Sequence, residues 1–147
     1  MKYCGLNKED TVNGPGLRVS LFVSGCRNHC PGCFNPETWD FEHGEAYTQQ
    51  TEKEIIEAIN APYISGLSLL GGDPFEPENE AALLPLVQKV RATGKTVWCW
   101  TGYTLEQLKD RPLLKYIDVL IDGPFIQNQK DLSLPYAGSR NQRVIQL

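Results

Sequence analysis

The sequence predicts an α/β fold, an open partial (β/α) barrel of mostly parallel strands. Three observations carry that expectation. Short strand-like runs alternate with stretches whose apolar residues recur at helical spacing, in the order strand–helix–strand–helix–strand–helix–strand. Strands joined through helices run parallel, with right-handed crossovers. A closed eight-stranded barrel takes roughly 200 residues or more, so a chain of 147 residues has room only for a partial one.

Residues 4–16 read as irregular and polar, closing on the turn signal Asn13-Gly14-Pro15-Gly16. Leu17–Ser24 is the first strand, with Val19, Leu21 and Val23 on one face and Phe22 opposite. No regular structure is expected over Asn35–Thr48. A helix begins at Thr51, where Thr51-Glu52-Lys53-Glu54 has capping-box form. It continues through Ile55, Ile56 and Ile59 and ends near Asn60, ahead of Pro62. Ile64–Leu70 is the second strand. Glu78–Thr93 is the second helix, with Leu83, Leu84, Leu86, Val87 and Val90 as its buried side. Pro85 implies a kink or a late start there, and Gly94 suits the C′ position. Lys95–Trp100 is the third strand, and the capping box Thr104-Leu105-Glu106-Gln107 opens a short third helix. Ile117–Ile121 is the fourth strand, and Arg143–Leu147 adds a last one. No repeat, linker or low-complexity tract divides residues 1–147, which read as a single domain.

Hydrophobic residues at 41% and charged residues at 22% are the proportions of a soluble globular chain. No apolar run approaches the ~20 residues of a membrane span, and Met1-Lys2-Tyr3-Cys4-Gly5 lacks the apolar core of a signal peptide. A cytoplasmic location follows. With a net charge of -4 and its 14 Lys and Arg scattered, the chain lacks the basic footprint of a nucleic-acid binder. Neither nucleic acid nor membrane is expected as a partner.

The cysteines carry the functional signal. Cys26, Cys30 and Cys33 fall within eight residues, spaced C-x3-C-x2-C, and five cysteines is an odd count for a disulfide framework. Three thiolates on a short loop suit iron–sulfur or zinc. A structural zinc site needs a fourth ligand, for which His29, His43, Cys4 and Cys99 are the candidates. An electron carrier takes four cysteines per cluster, often as C-x2-C-x2-C-x3-C, and this run has neither the number nor the spacing. A loop that stops at three leaves one metal corner open. The cysteine loop, Gly71-Gly72-Asp73-Pro74, Thr101-Gly102-Tyr103-Thr104 and Asp122-Gly123-Pro124-Phe125 each follow a strand, at the edge where parallel α/β folds bind ligands.

The cysteine loop resembles the signature of the radical S-adenosylmethionine enzymes. That resemblance implies a [4Fe–4S] cluster on Cys26, Cys30 and Cys33, with S-adenosylmethionine chelating the fourth iron through its amino and carboxylate groups. Reduction then cleaves the sulfonium to methionine and a 5′-deoxyadenosyl radical. Gly71, Gly72 and Asp73 resemble the family's Gly-Gly-Glu motif, which meets the cofactor's ammonium, with an acid one methylene shorter. Gly32, Cys33 and Phe34 are expected along the adenine, although many members carry an aromatic residue where Gly32 stands. Thr101 and Asp122 are expected to face the methionine carboxylate, the ribose or a nearby cation, and Trp98, Trp100 and Trp39 to be core or interface. No general base is expected.

Further blocks sharpen the resemblance to glycyl-radical-enzyme activases, and within them to those acting on anaerobic ribonucleoside-triphosphate reductases. They are Asn13-Gly14-Pro15-Gly16-Leu17-Arg18, Cys30-Pro31-Gly32-Cys33-Phe34-Asn35, Trp100-Thr101-Gly102-Tyr103, Asp122-Gly123-Pro124-Phe125 and Gly138-Ser139-Arg140-Asn141-Gln142. The implied partners are the reductase, as protein substrate, and a low-potential electron donor such as flavodoxin. Alternatives are activation of another glycyl-radical enzyme such as pyruvate formate-lyase, a small-molecule radical enzyme such as a deazapurine-forming synthase, or a zinc-binding interaction module.

Overall fold

The computed structural model, which describes residues 1–147, contains a seven-stranded sheet and two α-helices. The strands are β1 (Lys2–Asp10), β2 (Leu17–Val23), β3 (Glu45–Ala46), β4 (Ile64–Gly71), β5 (Thr96–Trp100), β6 (Val119–Asp122) and β7 (Arg143–Gln146). The helices are α1 (Gln49–Ile59) and α2 (Pro77–Ala92). Across the sheet the order is β3-β1-β2-β4-β5-β6-β7. The pairs within β2-β4-β5-β6 are parallel, and β3, β1 and β7 are added antiparallel.

Alternation along the strands assigns the two faces. Val19, Leu21 and Val23 of β2 lie in rows with Leu67 and Leu69 of β4, Val97 and Cys99 of β5 and Leu120 of β6. All are buried, together with Ile55 and Ile59 of α1 and Leu83, Leu86, Val87 and Val90 of α2. Both helices therefore cover one face. Each fully buried aliphatic side chain there contributes roughly 1.5–3 kcal/mol through removal from water.

The opposite face carries Arg18, Ser20, Phe22, Ser68, Leu70, Trp98 and Trp100. Arg18 is fully buried; its guanidinium lies 5.8 Å from the Trp98 ring centre and donates only to neutral oxygens. Nε donates to Ser68 Oγ (2.9 Å), Nη2 to the carbonyls of Leu67 (2.9 Å) and Thr96 (3.1 Å), and Nη1 to Thr96 Oγ1 (3.1 Å) and the Pro15 carbonyl (3.5 Å). Burial lowers its pKa to about 10. The helix-free face is thus closed at the N-terminal end of the parallel strands by hydrogen bonding, and it opens toward their C-terminal ends.

Several expectations change. Residues 2–10 form β1 rather than irregular chain; its pairing with β2 shifts register between Tyr3 and Gly5 and again between Asn7 and Asp10, which breaks the period-two alternation of a regular strand. α1 starts at Gln49, because the reciprocal cap is Thr48 with Thr51, three residues ahead of the expected box. α2 starts early, at Pro77, and runs through Pro85 without interruption, and Gly94 takes a φ of +84° after its C-cap Thr93. The expected third helix is only a 3-10 turn at Leu105–Gln107, followed by another at Pro112–Tyr116. Thr104 does cap that turn, but Pro112 lacks the N–H that would continue it and disfavours the helical region for Arg111. Asn35–Thr48 contains a 3-10 turn, Pro36–Trp39, and the two-residue β3. Strand ends shift by one or two residues, β4 reaching Gly71 and β6 running Val119–Asp122.

Candidate metal and cofactor site

On the helix-free face, at the C-terminal ends of the parallel strands, lies a cavity of about 430 Å³. Phe22 and Leu70 line it from β2 and β4, and Cys26, Cys30 and Cys33 from the loop after β2. Gly71 ends β4 and Gly72 and Asp73 follow it, Trp100, Thr101 and Gly102 come from the end of β5, and Gly123 and Phe125 follow β6. The C-terminal segment adds Leu132, Tyr136, Gly138 and Gln142 to the wall, and is held to β5 by Trp100 Nε1 donating to the Tyr136 carbonyl at 2.7 Å.

Backbone hydrogen bonds splice the cysteine loop to its neighbour. Gly72 N–H donates to the Val23 carbonyl (2.6 Å) and Asp73 N–H to the Gly25 carbonyl (2.8 Å). A Cβ on Gly72 would stand 2.6 Å from the Gly25 oxygen and 2.9 Å from that of Thr38, so a side chain there forces the two loops apart. Within the loop, Cys33 N–H donates to the Cys30 carbonyl (3.0 Å) across Pro31-Gly32. Arg27 ties the loop outward, to Glu76 and Glu78 at 2.7 Å each, with its guanidinium 4.5 Å from the Phe41 ring centre.

Asp73 ties it inward. Its carboxylate is buried; Oδ1 accepts from Thr101 Oγ1 (2.8 Å) and Phe75 N–H (3.0 Å), and Oδ2 from Gly102 N–H (2.9 Å) and Asn28 Nδ2 (3.0 Å). Burial nevertheless outweighs those donors and raises its pKa to about 6, with Glu76 adding to the rise. Burial likewise pushes the Cys26 thiol up to about 11, so at neutral pH a metal must displace its proton.

The sequence-derived site residues divide. Cys26, Cys30, Cys33, Phe34, Gly71, Gly72, Asp73 and Thr101 all line the cavity. Asp122 does not: it turns away to take Arg143 Nε (3.1 Å), Arg143 Nη2 (2.6 Å) and Leu105 N–H (2.8 Å). Gly32 is also outside the lining, its α-carbon facing the Gln127 side chain. Asp73 and Thr101 reach the wall, but the carboxylate already receives four hydrogen bonds, and the threonine hydroxyl donates to it while accepting from Tyr103 N–H (3.1 Å). Sequence reasoning missed Asn28, Phe125 and the 132–142 wall. The blocks Asp122–Phe125 and Gly138–Gln142 contained part of that signal, whereas Tyr136 and Leu132 stand in a polar tail with no pattern. Trp98 is buried with Val119 and Ile121, but Trp100 reaches the cavity.

The donor set fits an iron–sulfur cluster better than a zinc ion. No three His, Cys, Asp or Glu side chains gather around a point where one ion could be held. A cubane distributes its thiolate ligands over separate irons, and three thiols spread along one cavity wall match that demand. None of the four candidate zinc ligands joins them. His29 stacks on Trp39 (4.5 Å, 9°), Cys99 is in the core, Cys4 is exposed on β1 with its thiol toward the Phe22 carbonyl, and His43 is outside the lining.

Comparison with known proteins agrees with the donor set. The family model for a 4Fe-4S single cluster domain matches residues 12–145. A protein of Vibrio cholerae named anaerobic ribonucleoside-triphosphate reductase-activating protein is 52% identical over 92% of this chain and 91% of its own length. Proteins of the same name from Escherichia coli strain K12 and Enterobacteria phage T4 are 46% and 44% identical, each over 98% of this chain and 97% and 93% of their own lengths.

Proposed function

The chain belongs to the anaerobic ribonucleoside-triphosphate reductase-activating proteins, and from that membership we propose how its residues serve the activity. It activates such a reductase and carries an iron–sulfur cluster; the finer reading is that the second cofactor is S-adenosylmethionine. The observation that carries this reading is the wall of three thiols beside a glycine edge, with every other candidate metal ligand directed elsewhere.

Cys26, Cys30 and Cys33 would hold the cluster, with one iron left for the cofactor. The chemistry these groups would supply when bound is one-electron reductive cleavage of the cofactor's sulfonium, the electron coming from the reduced cluster, followed by removal of a Cα hydrogen from a glycine of the reductase. Gly71 and Gly72 offer the cofactor's amino group a backbone edge. Asp73 serves by joining three loops, because its oxygens are already engaged. Phe34, packed on Phe125 with ring centres 5.0 Å apart, flanks the adenine. Placement within a few ångströms replaces acid–base catalysis. The parallel strands act as part of a barrel whose open mouth the reductase covers, excluding water from the radical. A low-potential donor such as flavodoxin supplies electrons, and the setting is the cytoplasm; no helix is long and apolar enough to cross a membrane.

The test mixes anaerobically reconstituted protein with a purified anaerobic reductase, S-adenosylmethionine and reductant. Electron paramagnetic resonance should then show a glycine-centred doublet on the reductase. Rapid turnover of a small molecule without the reductase would contradict the reading.

A further inference from the structure

Asn28 lies inside the cysteine loop, two residues after Cys26, and is neither a metal ligand nor a group the sequence marks for cofactor contact. Its side-chain amide is nonetheless held between two other groups. Nδ2 stands 3.6 Å from Cys26 Sγ and 3.0 Å from Asp73 Oδ2. A Cβ on Gly102 would come within 2.3 Å of the same nitrogen. Three strand-end loops thus meet at one amide: a sulfur after β2, a carboxylate after β4 and a bare α-carbon after β5.

We infer that Asn28 is a positioning residue that directs an N–H toward the Cys26 sulfur and so sets the reduction potential of the cluster. The inference rests on the reading of Cys26, Cys30 and Cys33 as cluster ligands. The two N–H groups of a primary amide have separate tasks here. One is held by Asp73, which fixes the orientation of the amide plane, and that orientation leaves the other for the sulfur. A donor to a cluster sulfur stabilises the more negative, reduced state and raises the potential. Asp73 is itself fixed by Thr101 Oγ1 and by the backbone N–H groups of Phe75 and Gly102, so the amide has little freedom to turn. Gly102 has no φ in the left-handed region, so its lack of a side chain is explained by the space the amide needs.

The test is a redox titration of the reconstituted protein followed by electron paramagnetic resonance, with iron and sulfide content measured alongside. Asn28→Ala should retain the cluster while its reduced-to-oxidised ratio at fixed potential falls about tenfold, equivalent to about 59 mV for a one-electron couple. Gly102→Ala, which displaces the amide sterically and leaves Asp73 in place, should shift the potential in the same direction. In the Asn28→Ala background, Gly102→Ala should add nothing, because the amide it displaces is gone. Asn28→Gln keeps the donor on a longer arm and should recover part of the loss. An unchanged potential in Asn28→Ala with full cluster content overturns the inference and leaves the ligand assignment standing. Additive shifts from Asn28→Ala and Gly102→Ala also overturn it, since they imply independent effects on the loop. Wild-type protein that assembles no [4Fe–4S] cluster overturns the underlying reading and this inference with it.

Discussion

The two faces of the parallel strands are made of the same backbone and held by different physics. Toward the helices, β2 presents Val19, Leu21 and Val23, and the core closes around them by volume alone. On the other face the same strand presents Arg18, Ser20 and Phe22. There, five guanidinium hydrogen bonds go to neutral oxygens, and Ser20 donates to Asp10 at 2.6 Å. The helix-covered face tolerates any filling of similar size and shape. The helix-free face tolerates few changes, because each buried donor and acceptor there has a named partner. A fold that must keep an open cavity on one side needs rigidity there beyond what the small apolar cluster of Trp98, Val119 and Ile121 supplies, and one-to-one hydrogen bonding adds it.

The largest expected effect is at the open end of the helix-free face. Cys30→Ala should abolish the cluster and all activation of the reductase, checked by the colour of reconstituted protein and by loss of the glycine doublet. A substantially active variant would remove Cys30 from the ligand set.

Next is the contrast itself. Arg18→Met should lower the stability of the cluster-free protein by about 3 kcal/mol or more, since it strips partners from several buried oxygens. Leu69→Met on the covered face should lower it by less than about 1.5 kcal/mol. Urea unfolding of both variants decides the matter, and equal losses would erase the distinction between the faces.

At the seam between the loops, Gly72→Ala should reduce both cluster content and cofactor affinity. Its Cβ meets the backbone of Gly25 and Thr38 rather than only the cavity. Full iron content with unchanged affinity, measured by equilibrium binding, would show that the two loops can separate freely.

The smallest effect is a pH dependence. The Asp73 carboxyl is raised by burial from the ordinary 3.8 to about 6, so the folded chain binds that proton more tightly than the unfolded one. The stability it contributes is full below the unfolded value and is lost as pH rises through about 6. Between those limits the cluster-free wild type should lose more stability with rising pH than Asp73→Asn does. Parallel pH profiles would place no buried carboxyl at that seam.

The same contrast explains what the sequence made legible. β2, β4, β5 and β6 could be read because alternation and short apolar runs are local signals, and they arise from the helix-covered face. The four turns at their C-terminal ends located the cavity for the same reason. β1 could not be read, since Tyr3 and Gly5 straddle a register shift and its side chains pack only partly. The third crossover misled because the Thr104 cap is genuine while the helix it would start is stopped by Pro112. Asp122 and Gly32 lie outside the cavity lining beside partners remote in sequence, Arg143 and Gln127, which no local signal announces. Asp73 was expected as a ligand contact because nothing local announces that Asn28, Phe75, Thr101 and Gly102 converge on it.

The central claim is an iron that the polypeptide leaves with a position for the cofactor. Electron–nuclear double resonance on the reduced cluster, with S-adenosylmethionine carrying nitrogen-15 in its amino group, tests it directly. Coupling of the labelled nitrogen to the cluster is the predicted result. Absence of that coupling at saturating cofactor, with a protein side chain completing the fourth iron instead, would contradict the account.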